Sequence, residues 1–350
     1  MKIRFVVSFF ALLMVASPGS SQSRWVHLDT ETGKLIYDTS QRGDRILDFS
    51  HAWYMGGGVA LPQVPDVLTI GPEKGVDDYT SRIQDAIDRV SSLPLNNGFR
   101  GAVRLLPGEY PCSGGIRIYA DGVVLRGSGT ASGKQSTIRM SGKDRHSAVV
   151  IGPGQRRREE MSGEGIRTKI TDAYIPAEFA PNATQILLDR CSVEGDNIWF
   201  VATGARVPGP IVLLNCRFKG KGNIEGHHRW TTGMLVDNCQ VPEGGINFMN
   251  RGSMGSGHGW GMAWAVAWNC TAKFYVNQRP PGTYNWVIGS VGESRLQARP
   301  FDKAPFLPEG TFDAHGTRVS PGSLYLSQLK ERLGSQALDN IGYGQEQDCL

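Results

Sequence analysis

The sequence has 350 residues, 40% of them hydrophobic, and a formal net charge of +4, which is the composition of an ordinary globular chain. The charge is mild and lacks the dense basic runs of nucleic-acid-binding proteins, while it allows an acidic partner. The 45 glycines are about twice the usual share and follow no collagen period. They indicate many tight turns between short strands.

The N-terminus has the residue order of a secretory signal. Lys2 and Arg4 precede an apolar run from Phe5 to Ala16, and small or polar residues follow as far as Ser23. The apolar run is about a dozen residues long, too short for a membrane-spanning helix, which needs about 20. We therefore predict a signal peptide at residues 1–22 and a secreted protein, extracellular or periplasmic, that does not contact membrane after signal removal.

The next element is a short amphipathic helix that follows the capping residues of the segment 77–82. Ser81 and Gln84 have the spacing of a capping box, and four apolar residues follow at i, i+3, i+4 and i+7 spacing: Ile83, Ala86, Ile87 and Val90. A solenoid must hide its open end from water, and this helix has the apolar face to cover it. We predict an N-terminal capping helix.

Short strands follow the helix. Residues 102–106, 116–118 and 123–126 are apolar runs separated by glycine-containing turns, including Pro107-Gly108-Glu109-Tyr110. Three strands separated by turns correspond to one coil of a parallel β-helix. We therefore expect the winding to begin here.

A repeated segment ending in cysteine sets the predicted fold. Its apolar run ends at Cys191, Cys216, Cys239 and Cys270, in steps of 25, 23 and 31 residues. Periods of 20 to 50 residues are typical of solenoids, in which each unit buries its face only against the next. The run is too short for a helix, so it fits a strand. The sequence predicts an all-β, right-handed, single-stranded parallel β-helix.

Stacked coils place equivalent residues above one another. The cysteines then form an inward column of small buried groups, with disulfides between neighbouring coils as the alternative. A metal role for them is disfavoured because no Cys-x-x-Cys or nearby Cys/His spacing is present. A hydrogen-bonded ladder at a bend is predicted for Asn215, Asn238 and Asn269.

The tail contains prolines and then a short helix from about Ser323 to Leu333. Leu326, Leu329 and Leu333 have helical spacing, and Gly334 follows as a stop. We expect this helix to pack along the outside or end of the solenoid. The predicted domains are an extended segment at 23–70, the β-helix at 71–298 and the C-terminal tail at 299–350.

Several motifs resemble those of the pectate-lyase superfamily. Asp-Asp-x-Thr precedes the capping helix, Pro-Gly-x-Tyr follows it, and Val-x-Leu-Arg-Gly-Ser-Gly covers residues 123–129. Further blocks resemble a largely uncharacterised secreted subgroup: Asp48-Phe49-Ser50-His51-Ala52, Gly56-Gly57-Gly58, His228-Arg229-Trp230, Asn250-Arg251-Gly252 and Pro321-Gly322-Ser323. The block around Tyr174 nearly abuts that at Cys191, where the subgroup has a longer series of coils, so the chain is shortened in its middle.

Residues 226–260 hold the densest set of chemically active side chains. Residues about one repeat apart become neighbours about 4.8 Å apart along a solenoid, so His228 and Arg229 are expected near Asn250 and Arg251. We predict a catalytic set of four residues, namely His228, Arg229, Arg251 and His258. The predicted substrate-binding residues are His227, Trp230, Asn250 and Trp260.

This basic, aromatic-edged patch suits an acidic polysaccharide, and the resemblance to pectate lyases implies cleavage by β-elimination. Arg229 and Arg251 are expected to clamp the uronate carboxylate, because a guanidinium matches a carboxylate in two contacts. His228 or His258 would be the base that removes the C5 proton. The same side chains are also open to purely structural roles at turns and in packing.

Two other functions remain open, a non-catalytic glycan-binding or structural β-helix and a polygalacturonase-like hydrolase. Hydrolysis with inversion needs two carboxyl groups, and only Asp196 with the following Asn197 stands near a suitable motif. No metal ligands are assigned and the cofactor is unknown. Calcium is possible, but it prefers six to eight oxygen ligands and Asp237 is the single acid of the patch. A monomer is expected.

Overall fold

A computed structural model describes residues 21–129, 133–141, 148–151, 166–170, 177–195, 198–254, 257–297 and 307–344. Most of the predicted signal, residues 1–20, and the hydrolase candidate Asp196 lie outside these ranges. The architecture is mostly β, with parallel sheets arranged as in an all-β parallel solenoid. No helix in the described ranges is long and apolar enough to cross a membrane.

The strands of the first half of the chain are β1 (Ser21–Gln22), β2 (Val26–Leu28), β3 (Leu35–Tyr37), β4 (Asp66–Ile70), β5 (Gly101–Leu105), β6 (Gly108–Cys112), β7 (Ile116–Ile118), β8 (Val123–Arg126), β9 (Ser136–Met140), β10 (Val149–Ile151) and β11 (Ile166–Ile170). A single 3₁₀ turn covers Tyr54–Gly56, and helix α1 covers Thr80–Ser91.

The second half contains β12 (Ala177–Phe179), β13 (Ile186–Asp189), β14 (Ser192–Glu194), β15 (Trp199–Thr203), β16 (Pro208–Leu214), β17 (Arg217–Lys219), β18 (Asn223–Gly226), β19 (Thr231–Asp237), β20 (Gln240–Phe248), β21 (Met262–Ala263), β22 (Val266–Trp268), β23 (Thr271–Asn277), β24 (Trp286–Ile288), β25 (Val291–Ser294), β26 (Thr311–Asp313) and β27 (Val319–Ser320). Helices α2 (Leu324–Leu333) and α3 (Ser335–Asn340) end the described chain.

The four cysteine-ending segments lie in register above one another, as predicted. β13, β16, β19, β22, β24 and β26 form one parallel sheet, with Asp189, Leu214, Asp237, Trp268, Ile288 and Asp313 as successive partners. A second parallel sheet runs through β12, β15, β18, β20, β23 and β25. The pairing extends past the predicted limits of 71 and 298, because β4 pairs with β5 and β26 pairs with β24.

The predicted cysteine column is confirmed as a set of free thiols. Cys216, Cys239 and Cys270 are buried and Cys191 is half-buried. Each of the three buried thiols donates to a carbonyl of the preceding segment, over 3.2 Å to Leu188, 3.4 Å to Leu213 and 3.1 Å to Val236. The thiols therefore act as small core groups that also bond neighbouring coils together.

The asparagine bend is confirmed, and its ladder is shorter than predicted. Asn215, Asn238 and Asn269 all have φ between 51° and 53°, the left-handed conformation that asparagine tolerates better than most residues. The Asn238 amide donates to Asn215 Oδ1 over 2.5 Å. The Asn269 amide instead donates to the carbonyls of Val319, Pro321 and Gly322, because the C-terminal segment lies against this corner.

Helix α1 is confirmed, with Ile83, Ala86, Ile87 and Val90 buried against β-strands of the first coils. The predicted capping box is wrong. Asp78 accepts from the Thr80 amide over 2.9 Å, and Gln84 bonds the backbone of Arg117 instead of its own N-terminus. Asp78 also accepts from Ser113, so it joins the start of the helix to the strand beside it.

The predicted tail helix is confirmed as α2. The Ser323 hydroxyl accepts from the Leu326 amide over 3.2 Å, and Gly334 ends the helix at a φ of 80°. Its leucines pack on the outer face of the sheet that contains β19. Residues 21–58, which we call the N-terminal arm, cover the same face. Within the arm, β1 is formed by the last two residues of the predicted signal and pairs with β27.

Candidate functional site

The candidate site lies where two neighbouring coils turn a corner. In one coil, β18 ends at Gly226 and His227 follows directly. In the next coil, β20 ends at Phe248, and the described residues 249–254 and 257–261 make an excursion before β21. The two coils are in register, with Ile224 opposite Ile246 and Glu225 opposite Asn247. This register places the turn after β18 beside the excursion after β20.

Two glycines allow the coils to approach closely here. A Cβ on Gly226 would lie 2.5 Å from the carbonyl oxygen of Gly261, a separation that real Cβ atoms do not show. The Thr231 amide donates to that same carbonyl over 2.9 Å, and the Gly261 amide donates to Met249 over 3.0 Å. These contacts fix the excursion against the turn that carries the histidines.

Three imidazole rings meet at this corner. The ring centroid of His227 lies 4.6 Å from that of His228 and 4.9 Å from that of His258, and the centroids of His228 and His258 are 4.3 Å apart. One nitrogen of each ring lies within 4.8 Å of the others, a grouping that could hold a metal ion. His227 also meets the ring of Trp199 edge-on at 4.4 Å. We call these three side chains the histidine cluster.

Burial and neighbouring positive charges disfavour the protonated forms of His228 and His258. The pKa of His228 is lowered, first by burial and then by the positive charges of Arg251 and Arg229. The pKa of His258 is lowered by burial, by Arg251, by His228 and by Arg229. Neutral imidazoles have a free lone pair, so they can accept a proton or ligate a metal at neutral pH.

Arg251 lies beneath the cluster and does not reach solvent. Its side chain is 3% exposed, and its Nε lies 2.9 Å from Oε1 of Glu225, which is also buried. Its Nη1 donates to the His227 carbonyl over 2.8 Å, and its guanidinium carbon lies 5.1 Å from the Trp199 ring centroid. The expected carboxylate clamp at Arg251 is therefore corrected, because the guanidinium is already committed inside the protein.

Arg229 is the exposed cation of the site. Its Nη1 donates to the carbonyl of Gly257, which holds the side chain beside the excursion that carries His258. Trp230 and Trp260 are half-buried, and Trp260 forms a bridge with Asn250. The side chains of Arg229 and the two tryptophans thus remain partly available at the surface.

Asn250 has a folding role in place of the predicted contact with substrate. It is 7% exposed. Its backbone N–H donates to Oε1 of Gln278 over 2.7 Å, and its side-chain Oδ1 accepts from the backbone N–H of Gly252 over 2.7 Å. With these bonds its side chain closes the base of the excursion. Asp237, the acid considered for calcium, is fully buried against α2 and lies on the outer face of its sheet, away from the cluster.

The sequence interpretation missed Glu225, Trp199 and Asn247. Burial raises the pKa of Glu225, while Arg251, Asn247 and Trp199 act in the opposite direction. Asn247 donates to Oε2 of Glu225 over 3.1 Å. Trp199 lies in the coil before His227, Glu225 in the same coil and Asn247 in the next coil, so the repeat spacing could have found Trp199 and Asn247.

Comparisons with known proteins give little further information. No protein-family model matches the chain, and no curated protein matches it. Among solved structures it is similar to YbhC of Escherichia coli, with 14% identity, 79% of this chain and 82% of that chain covered, and a TM-score of 0.24. A likeness this low carries no argument, so the resemblance to the pectate-lyase superfamily stays a prediction.

Proposed function

We propose that the chain is an exported, right-handed parallel β-helix protein that cleaves acidic, uronate-containing polysaccharides by β-elimination. The observation that supports this most is the histidine cluster beside the exposed Arg229. A neutral base and a surface cation are the two groups that the reaction needs at the same place. The export proposal rests on the N-terminal sequence, in which residues 1–22 have the residue order of a secretory signal.

The proposed reaction assigns one step to each group. Arg229 pairs with the uronate carboxylate and draws charge away from C5, so the C5 proton becomes more acidic. The His228 imidazole accepts that proton. The electron pair of the C5–H bond forms the C4–C5 double bond, and the C4–O bond breaks. The leaving oxygen keeps the electron pair of the C4–O bond and takes a proton from water, and the sugar that has lost it carries the new double bond at its end.

Arg251 acts in this proposal as a positioning residue. Its bond to the His227 carbonyl and its pair with Glu225 hold the turn that carries the histidines. Because Arg251 is buried with Glu225, the positive charge at the surface comes from Arg229. Trp230 and Trp260 would offer apolar faces to the sugar rings.

The described carboxylates do not favour a hydrolase. Hydrolysis with inversion needs two carboxyl groups with a water between them. Glu225 is buried in its pair with Arg251, and Asp237 is buried against α2. Neither faces the cluster's solvent side, and Asp196 lies outside the described residues. Non-catalytic glycan binding remains the second candidate, which the exposed Arg229 and half-buried tryptophans would also serve.

Digestion of a panel of uronate polymers tests the proposal. We expect products that absorb in the ultraviolet from the new double bond, with activity lowered about a hundredfold or more in His228→Ala, the scale of general base catalysis. Arg229→Ala should lose activity, and Arg229→Lys should recover part of it. His51→Ala, an exposed histidine far from the cluster in sequence, is the matched control.

The products separate the alternatives. Saturated reducing ends would contradict elimination and indicate hydrolysis. Glycan binding that Arg229→Ala weakens, without any product, would indicate the non-catalytic candidate. Intact polymers and no binding across the panel would overturn the proposal.

A further inference from the structure

We infer that His227, His228 and His258 form a binding site for a divalent transition metal of the zinc class. The inference goes beyond the proposed cleavage reaction and does not depend on it, and an ion bound through His228 would occupy the lone pair that accepts the C5 proton in that reaction. Among the described residues, these three form the one group of at least three histidine, cysteine or acidic side chains whose ligand atoms are close enough to share an ion. It consists of nitrogen ligands alone, which suits zinc, cobalt or nickel and does not suit calcium.

The geometry is that of a three-histidine site with room for a fourth ligand. A tetrahedral zinc ion with Zn–N bonds of about 2.1 Å needs nitrogens about 3.4 Å apart. The cluster nitrogens lie within 4.8 Å of one another, so small side-chain rotations bring all three onto one ion. His227 and His228 come from one coil and His258 from the next, which makes the site a clasp between coils.

A second observation independently indicates a missing partner. Nδ1 of His258 is buried and has no hydrogen-bond partner in the described part of the chain. Leaving a buried polar nitrogen without a partner is unfavourable. Ligation of the ion through Nδ1 would give this nitrogen the partner that it lacks.

The charges around the cluster permit a cation. Glu225 lies 2.9 Å from Arg251 and offsets only part of its charge, because Arg251 still disfavours the charged forms of His228 and His258. Arg229 is exposed, where water and salt screen its charge. Arg229 therefore opposes metal binding moderately, while in the proposed lyase it favours glycan binding. The two proposals predict opposite effects of removing this one charge.

Cobalt titration of the full-length, chelator-treated protein tests the site. We expect one Co²⁺ per chain, with the visible absorption of a four-coordinate ion, and displacement of Co²⁺ by Zn²⁺. Because losing an outer-shell partner already costs 10 to 100-fold in affinity, His258→Ala and His228→Ala should each lose about a hundredfold or more. His51→Ala is the control, and His258→Gln serves where His258→Ala does not fold.

Arg229→Gln should bind Co²⁺ several-fold more tightly at low salt, with the difference shrinking as salt rises. Absence of a stoichiometric Co²⁺ spectrum, or a spectrum that survives loss of His228 and of His258 alike, would overturn the inference. Because no glycan is present in the titration, failure of the lyase proposal leaves this result intact. Conversely, cleavage by a protein that binds no Co²⁺ would support the lyase proposal and overturn the metal site.

Discussion

At the scale of single residues, the site depends on a buried charge pair that contributes no atom to the surface. Arg251 and Glu225 are both almost fully buried, and each makes further bonds, to the His227 carbonyl and from Asn247. Taking two ions out of water costs several kcal/mol per ion, and only good geometry with extra hydrogen bonds offsets it. The pair therefore specifies the position of the histidine turn more than it stabilises the fold.

Removal of one partner should be far worse than removal of both. Arg251→Met leaves Glu225 buried without its counter-ion, and we expect a loss of about 3–5 kcal/mol in the free energy of unfolding. The double variant Arg251→Met/Glu225→Gln should recover most of that loss, because it leaves no buried charge. Urea denaturation of the single and double variants measures both values. Additive losses in the double variant would show that the pair is not coupled.

The residue types of the site were predictable from sequence, and their orientations were not. Repeat spacing correctly brought the turn at His227 and His228 near Arg251, because adjacent coils repeat every 22 residues here. Spacing sets which residues are neighbours along the axis and does not set which side chains point inward. Arg251 turned inward to Glu225, and Asn250 turned back onto its own loop.

At the scale of elements, Asp237 joins a strand to the helix that covers it. This carboxylate ends β19, is fully buried, and accepts from the Ser323 hydroxyl over 2.7 Å and the Tyr325 amide over 2.8 Å. It therefore sits at the N-terminus of α2, where helix amides favour negative charge. Burial outweighs these contacts and raises the pKa of Asp237 to about 7.

This raised pKa predicts a pH dependence with a definite sign. The folded protein holds the Asp237 proton more tightly than the unfolded chain, whose aspartates titrate near 3.9. The contribution to stability is fully present at pH values below the unfolded pKa and is lost as pH rises to about 7. The full change is up to about 4 kcal/mol. Arg318 is the nearby cation that opposes the shift.

Asp237→Asn isolates this effect because the amide does not titrate. Relative to the parent protein, the variant should become more stable as pH rises from 5 to 8, measured by urea denaturation at each pH. The parent's other ionisable groups are unchanged in the variant and cancel in the difference. A difference in stability that stays constant with pH would contradict the raised pKa of Asp237.

Helices were predicted more accurately than their ends. The apolar spacing in α1 and α2 follows from one buried face, which depends on local sequence alone. The start of α1 depends on Asp78, which also bonds Ser113 across 35 residues of chain. Because the partner of Asp78 lies on another strand, no local spacing in the sequence predicts this contact. The predicted capping box at Ser81 and Gln84 is therefore wrong.

At the scale of the whole molecule, the sheet containing β19 is apolar on both faces. Its inner face packs in the core cluster that also contains the cysteine column, and its outer face is covered by the N-terminal arm and by α2 and α3. The cover is tied together over long distances, with the Leu35 amide bonded to Glu331 and the Phe49 amide bonded to Gln328. The repeat pattern predicted the column, and it carried no information on which distant segments meet outside it.

The glycines of residues 56–58 show why the arm needs its particular sequence. A Cβ on Gly58 would lie 2.7 Å from Leu333 and 2.8 Å from Ala337. Arg332 donates to the Ser50 hydroxyl over 2.7 Å and to the Gly56 carbonyl over 2.6 Å. Residues 56–58 therefore allow the N-terminal arm to pack closely against α2 and α3, and they are not part of the histidine cluster.

Ending the chain after Gly322 should expose this outer face while leaving every coil of the sheet in the sequence. The leucines and tyrosines of α2 and the following turn bury apolar area worth on the order of 10 kcal/mol, comparable with the whole stability of a folded domain. We expect a large drop in melting temperature, binding of a hydrophobic dye and aggregation. Lys330→Ala, at an exposed position of α2, is the control and should have the same melting temperature as the parent protein. A truncated chain with an unchanged melting temperature would mean that the stacked coils hold themselves together without their cover.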